Sequence, residues 1–210
     1  MLAWHDYLQI ATLILFFLLT TGRAIHLRVT QGINPFTIGK GKKGFHKVVE
    51  ICFVLGIALW VIAVLSLTLH FQLGPPLAFL NKELLDWQFV KFIGAAMLIC
   101  SLAMFSLALA AFGNSWRVGI DERTPGRLVS RGIFDLTRNP IFLALIVYAG
   151  GTFLISGRLI LLVFWILIVM GVHLQIIREE EFLLSRYGRA YEEYRARTGR
   201  YFSFRRSSPA

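Results

Sequence analysis

Negative charge is scarce in this 210-residue chain: 12 Asp and Glu stand against 22 Lys and Arg, for a formal net charge of +10. Charge of either sign is sparse at 16% of residues, while 56% are hydrophobic and the mean hydropathy is +0.64. One water-soluble core cannot hide that much apolar surface, so the composition excludes a soluble globular domain and points to an integral membrane protein. There are only two cysteines, Cys52 and Cys100, both inside apolar runs and without CxxC spacing or a nearby His pair. That pattern argues against a disulfide framework and against a metal site. The histidines, His5, His26, His46, His70 and His173, are scattered near the ends of apolar runs, where an amphipathic ring sits comfortably, and their structural reading outweighs a ligand reading. No internal repeat or low-complexity tract is apparent, so residues 1–210 read as one membrane domain with a frayed basic tail from Ser203.

What the chain does have is apolar runs. Five are candidate spans: Tyr7 to Thr21, Val48 to Leu69, Phe89 to Phe112, Ile141 to Ile155 and Leu159 to Leu174. The first and the last two are short, covering only about 24 Å of a roughly 30 Å hydrocarbon core at 1.5 Å per residue. A four-span arrangement with one re-entrant segment is therefore an alternative. The first run has no basic stretch before it and no small-residue cleavage site after it, and reads as a retained helix. The fold expected is all-α, with about five transmembrane helices and a cytoplasmic C-terminal helix.

Basic residues are unevenly spread. Six lie from Arg23 to Lys47, five from Arg117 to Arg138 and eight from Arg178 to Arg206, leaving only Lys82, Lys91 and Arg158 for the other connections. Under the positive-inside rule the N-terminus is outside and the C-terminus cytoplasmic, in the inner membrane if the source is bacterial. Charges that flank spans hold orientation and meet anionic headgroups, so the surplus is read as a bilayer contact and not as a nucleic-acid surface. The loop from Gly32 to Gly44 reads as a flexible cytoplasmic connection, and Asn81 to Trp87 as a short external segment on the membrane surface.

Chemistry is expected where two polar cassettes meet. SRGIFDLTRNPIF leads into the last hairpin and IIREEEFLLSRYGRAYEEYRARTGR leads out of it, and the hairpin turn, Ser156-Gly157-Arg158, is short enough to force antiparallel neighbours. Arg138 and Glu179 thereby reach the same membrane face. Three carboxylates, Glu179 to Glu181, would be unfavourable at a helix C-terminus, so the helix is expected to continue past them, with a break near Gly188. Glu180 shares a face with Ile176, Ile177, Leu183 and Leu184 and needs a partner, for which Arg138 is the candidate. Such a pair serves equally as a structural clamp or as part of a functional site. Pro140 at a first helical position and Asn139 before it fit a plain helix start as well as a cofactor role. Tyr187, Tyr191 and Tyr194 share a face that suits packing on headgroups or on the preceding loop.

These cassettes resemble the isoprenylcysteine carboxyl methyltransferases and the wider phospholipid methyltransferase group. The resemblance runs over about residues 114–201, carried by GRLVSRGIFDLTRNPIF, the short hairpin and REEEFLLSRYGRAYEEYRARTGR. It implies an S-adenosyl-L-methionine-dependent methyltransferase acting on a membrane lipid or small lipophilic acceptor, with the cofactor pocket at the cytoplasmic end of the last two spans. It further implies a cofactor surrounded by Leu128, Val129, Phe134, Arg138, Asn139, Pro140, Ile141, Phe142 and Glu179, while the Arg138 and Glu180 pair supplies the catalytic candidates. Asn139 stands where the family commonly has His, Phe142 where it has Tyr, and Ala144 where Gly is usual. Gln175 occupies the place from which prenylcysteine enzymes present an Arg to the substrate carboxylate, and a neutral amide cannot form that bidentate pair. Transfer from a sulfonium needs alignment and dryness more than acid–base machinery, which fits the lack of a Ser-His-Asp or metal cluster. Two rivals stay open: an NADPH-dependent oxidoreductase like the membrane sterol reductases, and a non-catalytic lipid-binding protein.

Overall fold

The computed structural model describes residues 2–32, 34–36, 45–71, 75–116 and 126–203. The described residues are helical throughout, apart from turns and one isolated bridge between Glu83 and Arg158. The helices are α1 (Trp4–Gln31), α2 (Phe45–Thr68), α3 (Gln88–Phe112), the single turn α4 (Ile133–Leu136), α5 (Pro140–Ser156), α6 (Leu159–Tyr187) and α7 (Arg189–Arg197). A 3-10 turn over Pro75–Asn81 precedes α3. The protein is an all-α integral membrane protein in which α1, α2, α3 and α6 are long and apolar enough to span, while α5 is a shorter apolar helix of 17 residues. Two of the three runs expected to be short are longer. α1 has 28 residues and α6 has 29, because each helix continues through polar residues beyond its apolar window. Only α5 remains short, at about 25 Å. The expected flexible loop falls largely on residues 37–44, and most of the basic tail on 204–210, outside the described residues.

Local chemistry explains where the helices start and stop. The Asp6 carboxylate accepts the Ala3 backbone N–H at 2.8 Å and closes the first turn of α1. At its other end Gly32 takes the left-handed conformation, φ 65°, and its N–H reaches Arg28 O at 3.2 Å. The hairpin turn is tied to the rest of the fold: Gly157 O accepts Leu84 N–H at 2.7 Å, and Arg158 donates to Asn81 O at 2.8 Å. A Cβ on Gly157 would lie 1.7 Å from Leu85 O, so only glycine fits this joint.

The most extensive helix interface is that of α3 with α5. Gly94 and Gly151 face each other there so closely that a Cβ on either would come within 2.9 Å of the other's carbonyl oxygen. Small residues let the backbones approach, and Ser101 adds a 2.7 Å hydrogen bond to Ala144 O across the seam. Leu98, Leu102, Phe153, Ile168 and Val172 form the buried interior, while Ile14, Leu18, Ile62, Phe89 and Ile166 point outward, as a bilayer requires. α6 runs past Glu179, Glu180 and Glu181 without interruption and breaks at Gly188, φ 50°. Both features match the sequence reading.

Candidate active site

At the end of the bundle where α5 begins and α6 runs out, three chain segments are laced together around one carboxylate. Glu180 is 7% exposed. Its Oε1 accepts from Arg138 Nη2 at 2.9 Å, Arg138 Nε at 3.2 Å and Asn139 Nδ2 at 3.2 Å. Its Oε2 accepts from Arg200 Nη2 at 2.9 Å and Nε at 3.2 Å. Arg138 is then completed by Nη1, which donates to Arg195 O at 3.1 Å and Thr198 O at 3.0 Å. A carboxylate taken from water needs good geometry and further donors to offset its desolvation, and Glu180 has both. Hydrogen bonding to Glu180 also raises Arg200 above its ordinary range.

The residues after α7 complete the knot by running beside 136–139. Arg138 N–H meets Gly199 O at 3.0 Å, Thr137 donates to Arg200 O at 3.1 Å, and Ser203 N–H meets Leu136 O at 2.9 Å. Asn139 sits at the N-cap position of α5 with Pro140 at N1, but its side chain caps nothing. Its amide instead donates to Glu180 and to Arg200 O, the latter at 3.2 Å.

Behind the knot, α7 packs its tyrosines on the loop, which is one of the two packings the sequence left open. Tyr191 and Tyr194 are buried with Phe134, against Leu128, Val129, Leu183 and Leu184. Tyr194 donates to Phe134 O at 2.8 Å and Tyr187 to Gly126 O at 2.9 Å. Burial pushes the Tyr191 hydroxyl up to about 12 and raises Tyr194 further.

A cavity of about 330 Å³ opens beside this knot. Phe134, Arg138, Asn139, Pro140, Ile141, Phe142, Gln175 and Glu179 all line it. Of the residues the sequence singled out, Leu128 and Val129 stand behind Phe134 and not in the wall, and Glu180 lies in the knot. Sequence reasoning missed the rest of the wall: Phe16 and Phe17 of α1, Glu50, Phe53 and Trp60 of α2, Phe105 and Phe112 of α3, then Trp116, and Tyr148 of α5. It also missed Arg200. Glu50 carried a signal, as a carboxylate inside an apolar run, but the aromatic residues read as ordinary span residues. A larger cavity of about 490 Å³ lies at the opposite end of the bundle, lined by His5, Asp6, Gln9, His70, Glu83, Lys91 and Arg158 among others. None of the cassette residues reaches it.

The site can do specific things. It combines an acidic and amide-bearing mouth with aromatic faces and a wall drawn from five helices, α1, α2, α3, α5 and α6. Glu50 and Trp60, ten residues apart on α2, both line it, so it extends about 15 Å along that helix. Such a space aligns a polar molecule at the mouth with an apolar one along the spans, and among the described residues no metal-binding group of His, Cys, Asp and Glu is present.

Comparison with known proteins finds a family match over much of this part of the chain. Residues 89–190 match the family model described as phospholipid methyltransferase. Two relatives named probable protein-S-isoprenylcysteine O-methyltransferase, from Oryza sativa subsp. indica and subsp. japonica, are each 29% identical over 120 residues. That stretch is 56% of this chain and spans only 63% of each relative's own length. The match contains α5, α6 and nearly all of α3, with the first cassette whole and the second as far as Ala190. Over residues 89–190 this chain is similar to the phospholipid methyltransferase family, and over 120 residues to the two proteins named probable protein-S-isoprenylcysteine O-methyltransferase.

Proposed function

We propose that the protein is an integral-membrane methyltransferase that uses S-adenosyl-L-methionine and methylates a lipophilic acceptor drawn from the bilayer. The observation that carries this reading is the shared wall. Glu179 from one cassette and Asn139, Pro140, Ile141 and Phe142 from the other line one cavity, which continues along apolar helix faces. The chemistry of these residues suits the cofactor. Glu179 accepts from ribose hydroxyls or an ammonium group, and Phe134 and Phe142 offer faces to adenine and to a sulfonium. Leu128 and Val129 act from behind, by packing against Phe134. The cofactor these residues would hold would supply an electrophilic methyl group carried on a sulfonium.

The remaining work falls to the chain: alignment of the two reactants and exclusion of water. Arg138 and Glu180 serve the catalytic end by holding the mouth in shape and aiming Asn139. Gln175 faces the acceptor. The basic surplus around both cassettes supports a cytoplasmic position for this end and for the C-terminus. Titration calorimetry on detergent-purified protein tests the reading, with S-adenosylhomocysteine and separately with NADPH. Saturable binding of the first alone is expected, weakened more by Glu179→Gln than by Glu181→Gln. Binding of NADPH alone would move the protein to the oxidoreductases, and equal, negligible losses in the two variants would remove Glu179 from the cofactor site.

A further inference from the structure

The larger cavity, at the end of the bundle away from the knot, has two polar side chains in its wall whose hydrogen bonding is incomplete. Asp6 and Gln9, three residues apart on α1, are 5% and 3% exposed, and both line it. Asp6 Oδ2 accepts the Ala3 N–H, but Oδ1 accepts no hydrogen bond from any described residue. His5 Nε2 stands 3.7 Å from Oδ1 and His70 Nε2 stands 3.7 Å from Oδ2, too far in each case. The Gln9 side chain makes no hydrogen bond among the described residues; its Oε1 is enclosed, which leaves Nε2 as the end that meets the cavity. Polar side chains so deeply buried ordinarily have partners, and here a carboxylate oxygen and an amide donor lie side by side without them.

The surrounding charges narrow the chemistry. Lys91 pairs with Asp86, and Arg158 stands 3.5 Å from Glu83 while donating to Asn81 O. An imidazole is charged only when protonated, so the fixed charges here are two cations, Lys91 and Arg158, against three carboxylates, and the surplus rests on Asp6. Asp6 Oδ1 therefore calls for a positive group that carries a hydrogen. Among the described residues no group of His, Cys, Asp and Glu is arranged for a metal ion, which leaves an organic cation. A quaternary ammonium has no N–H and is held by several aromatic faces, whereas Phe71 is the one Phe, Tyr or Trp among the described residues of this wall. A primary ammonium fits. Gln9 Nε2, on the same face of α1 and roughly 5 Å from Asp6, then calls for an acceptor oxygen. Lys91 and Arg158 in the same wall favour an anionic one, since their own partners Asp86 and Glu83 are exposed and such pairs are weak.

We propose that this cavity is a second binding site, for a zwitterionic group whose primary ammonium meets Asp6 and whose anionic oxygen meets Gln9. A two-carbon spacer bridges the gap between them, as in phosphoethanolamine, either free or as the head of a lipid. The site is separate from the proposed methyl transfer, because no residue lines both cavities.

Four soluble probes test it on the delipidated full chain in detergent, by titration and by melting temperature: phosphoethanolamine, phosphocholine, glycerol phosphate and ethanolamine. Phosphoethanolamine is expected to bind about tenfold tighter than each of the others, the worth of one charge-assisted hydrogen bond. Asp6→Asn should remove its advantage over glycerol phosphate, and Gln9→Leu should reduce its advantage over ethanolamine. Phosphatidylcholine nanodiscs with and without phosphatidylethanolamine separate the two sources. A lipid occupant raises the melting temperature and blocks the soluble probe, whereas a free occupant binds equally in both discs. Absence of phosphoethanolamine binding, binding no tighter than that of glycerol phosphate, an advantage that survives Asp6→Asn, or displacement by S-adenosylhomocysteine overturns the proposal. The ranking of probes on the unaltered protein needs no variant to fold, and it stands or falls apart from the methyltransferase reading.

Discussion

Two buried carboxylates mark the two ends of the bundle, and they do different work. Glu180 at one end is gripped by two arginines and Asn139, drawn from the start of α5 and from the segment after α7. Asp6 at the other end is as deeply buried, at 5% exposure, yet its closest hydrogen bond is to the N–H of Ala3, three residues away. His5 and His70 stand off at 3.7 Å. The larger cavity lies at the Asp6 end and the better-organised one at the Glu180 end. A site is built where one buried charge forces distant segments to converge, because each of its lone pairs must be met by a donor and nearby residues cannot supply them all.

The contrast can be tested. The largest effect is expected from Glu180→Gln, which leaves two guanidiniums without their counter-charge: a loss of about 3 kcal/mol of stability, read as a fall in melting temperature, together with loss of S-adenosylhomocysteine binding. If that variant melts like the unaltered protein, the knot is not what holds this end. Next comes alkaline pH. The folded Tyr191 titrates at about 12 against an ordinary value of 10, so the unfolded chain loses its proton first. Its contribution is present below about pH 10 and is lost as pH rises toward 12, and Tyr191→Phe should flatten the fall of melting temperature across that window.

A smaller loss, about 1 kcal/mol, is expected from Tyr194→Phe, which removes the bond to Phe134 O and loosens the backing of the cavity. It should weaken S-adenosylhomocysteine without abolishing it. Smallest of all is Asp6→Asn. The amide oxygen still accepts from Ala3, so melting should shift by less than about 1 kcal/mol and S-adenosylhomocysteine binding by nothing measurable. A large effect on binding from Asp6→Asn would erase the distinction between the two ends.

Much of one end could be read from the chain. Hydropathy located the helices, the Ser156-Gly157-Arg158 turn identified an antiparallel hairpin, and the carboxylate on the apolar face at Glu180 demanded a partner that proved to be Arg138. Helix ends were less legible. α1 and α6 outrun their apolar windows, since backbone hydrogen bonding continues wherever side chains tolerate it, whether or not lipid surrounds the turn. Asn139 occupied its expected position for a different reason, as its amide serves Glu180 and not the helix start.

What the chain by itself determined was membrane residence, helical class, the order of the spans and the convergence of two cassettes. These follow from local periodicity, composition and one tight turn. Tertiary structure alone decided that Arg200 closes the knot, that Leu128 and Val129 stand behind the wall, and that Glu50 and Trp60 from α2 face the same space as Gln175 from α6. The physical reason is rotation. How a helix turns about its axis is set by packing against its neighbours, through close seams such as Gly94 on Gly151, and an apolar span carries too uniform a surface to announce it.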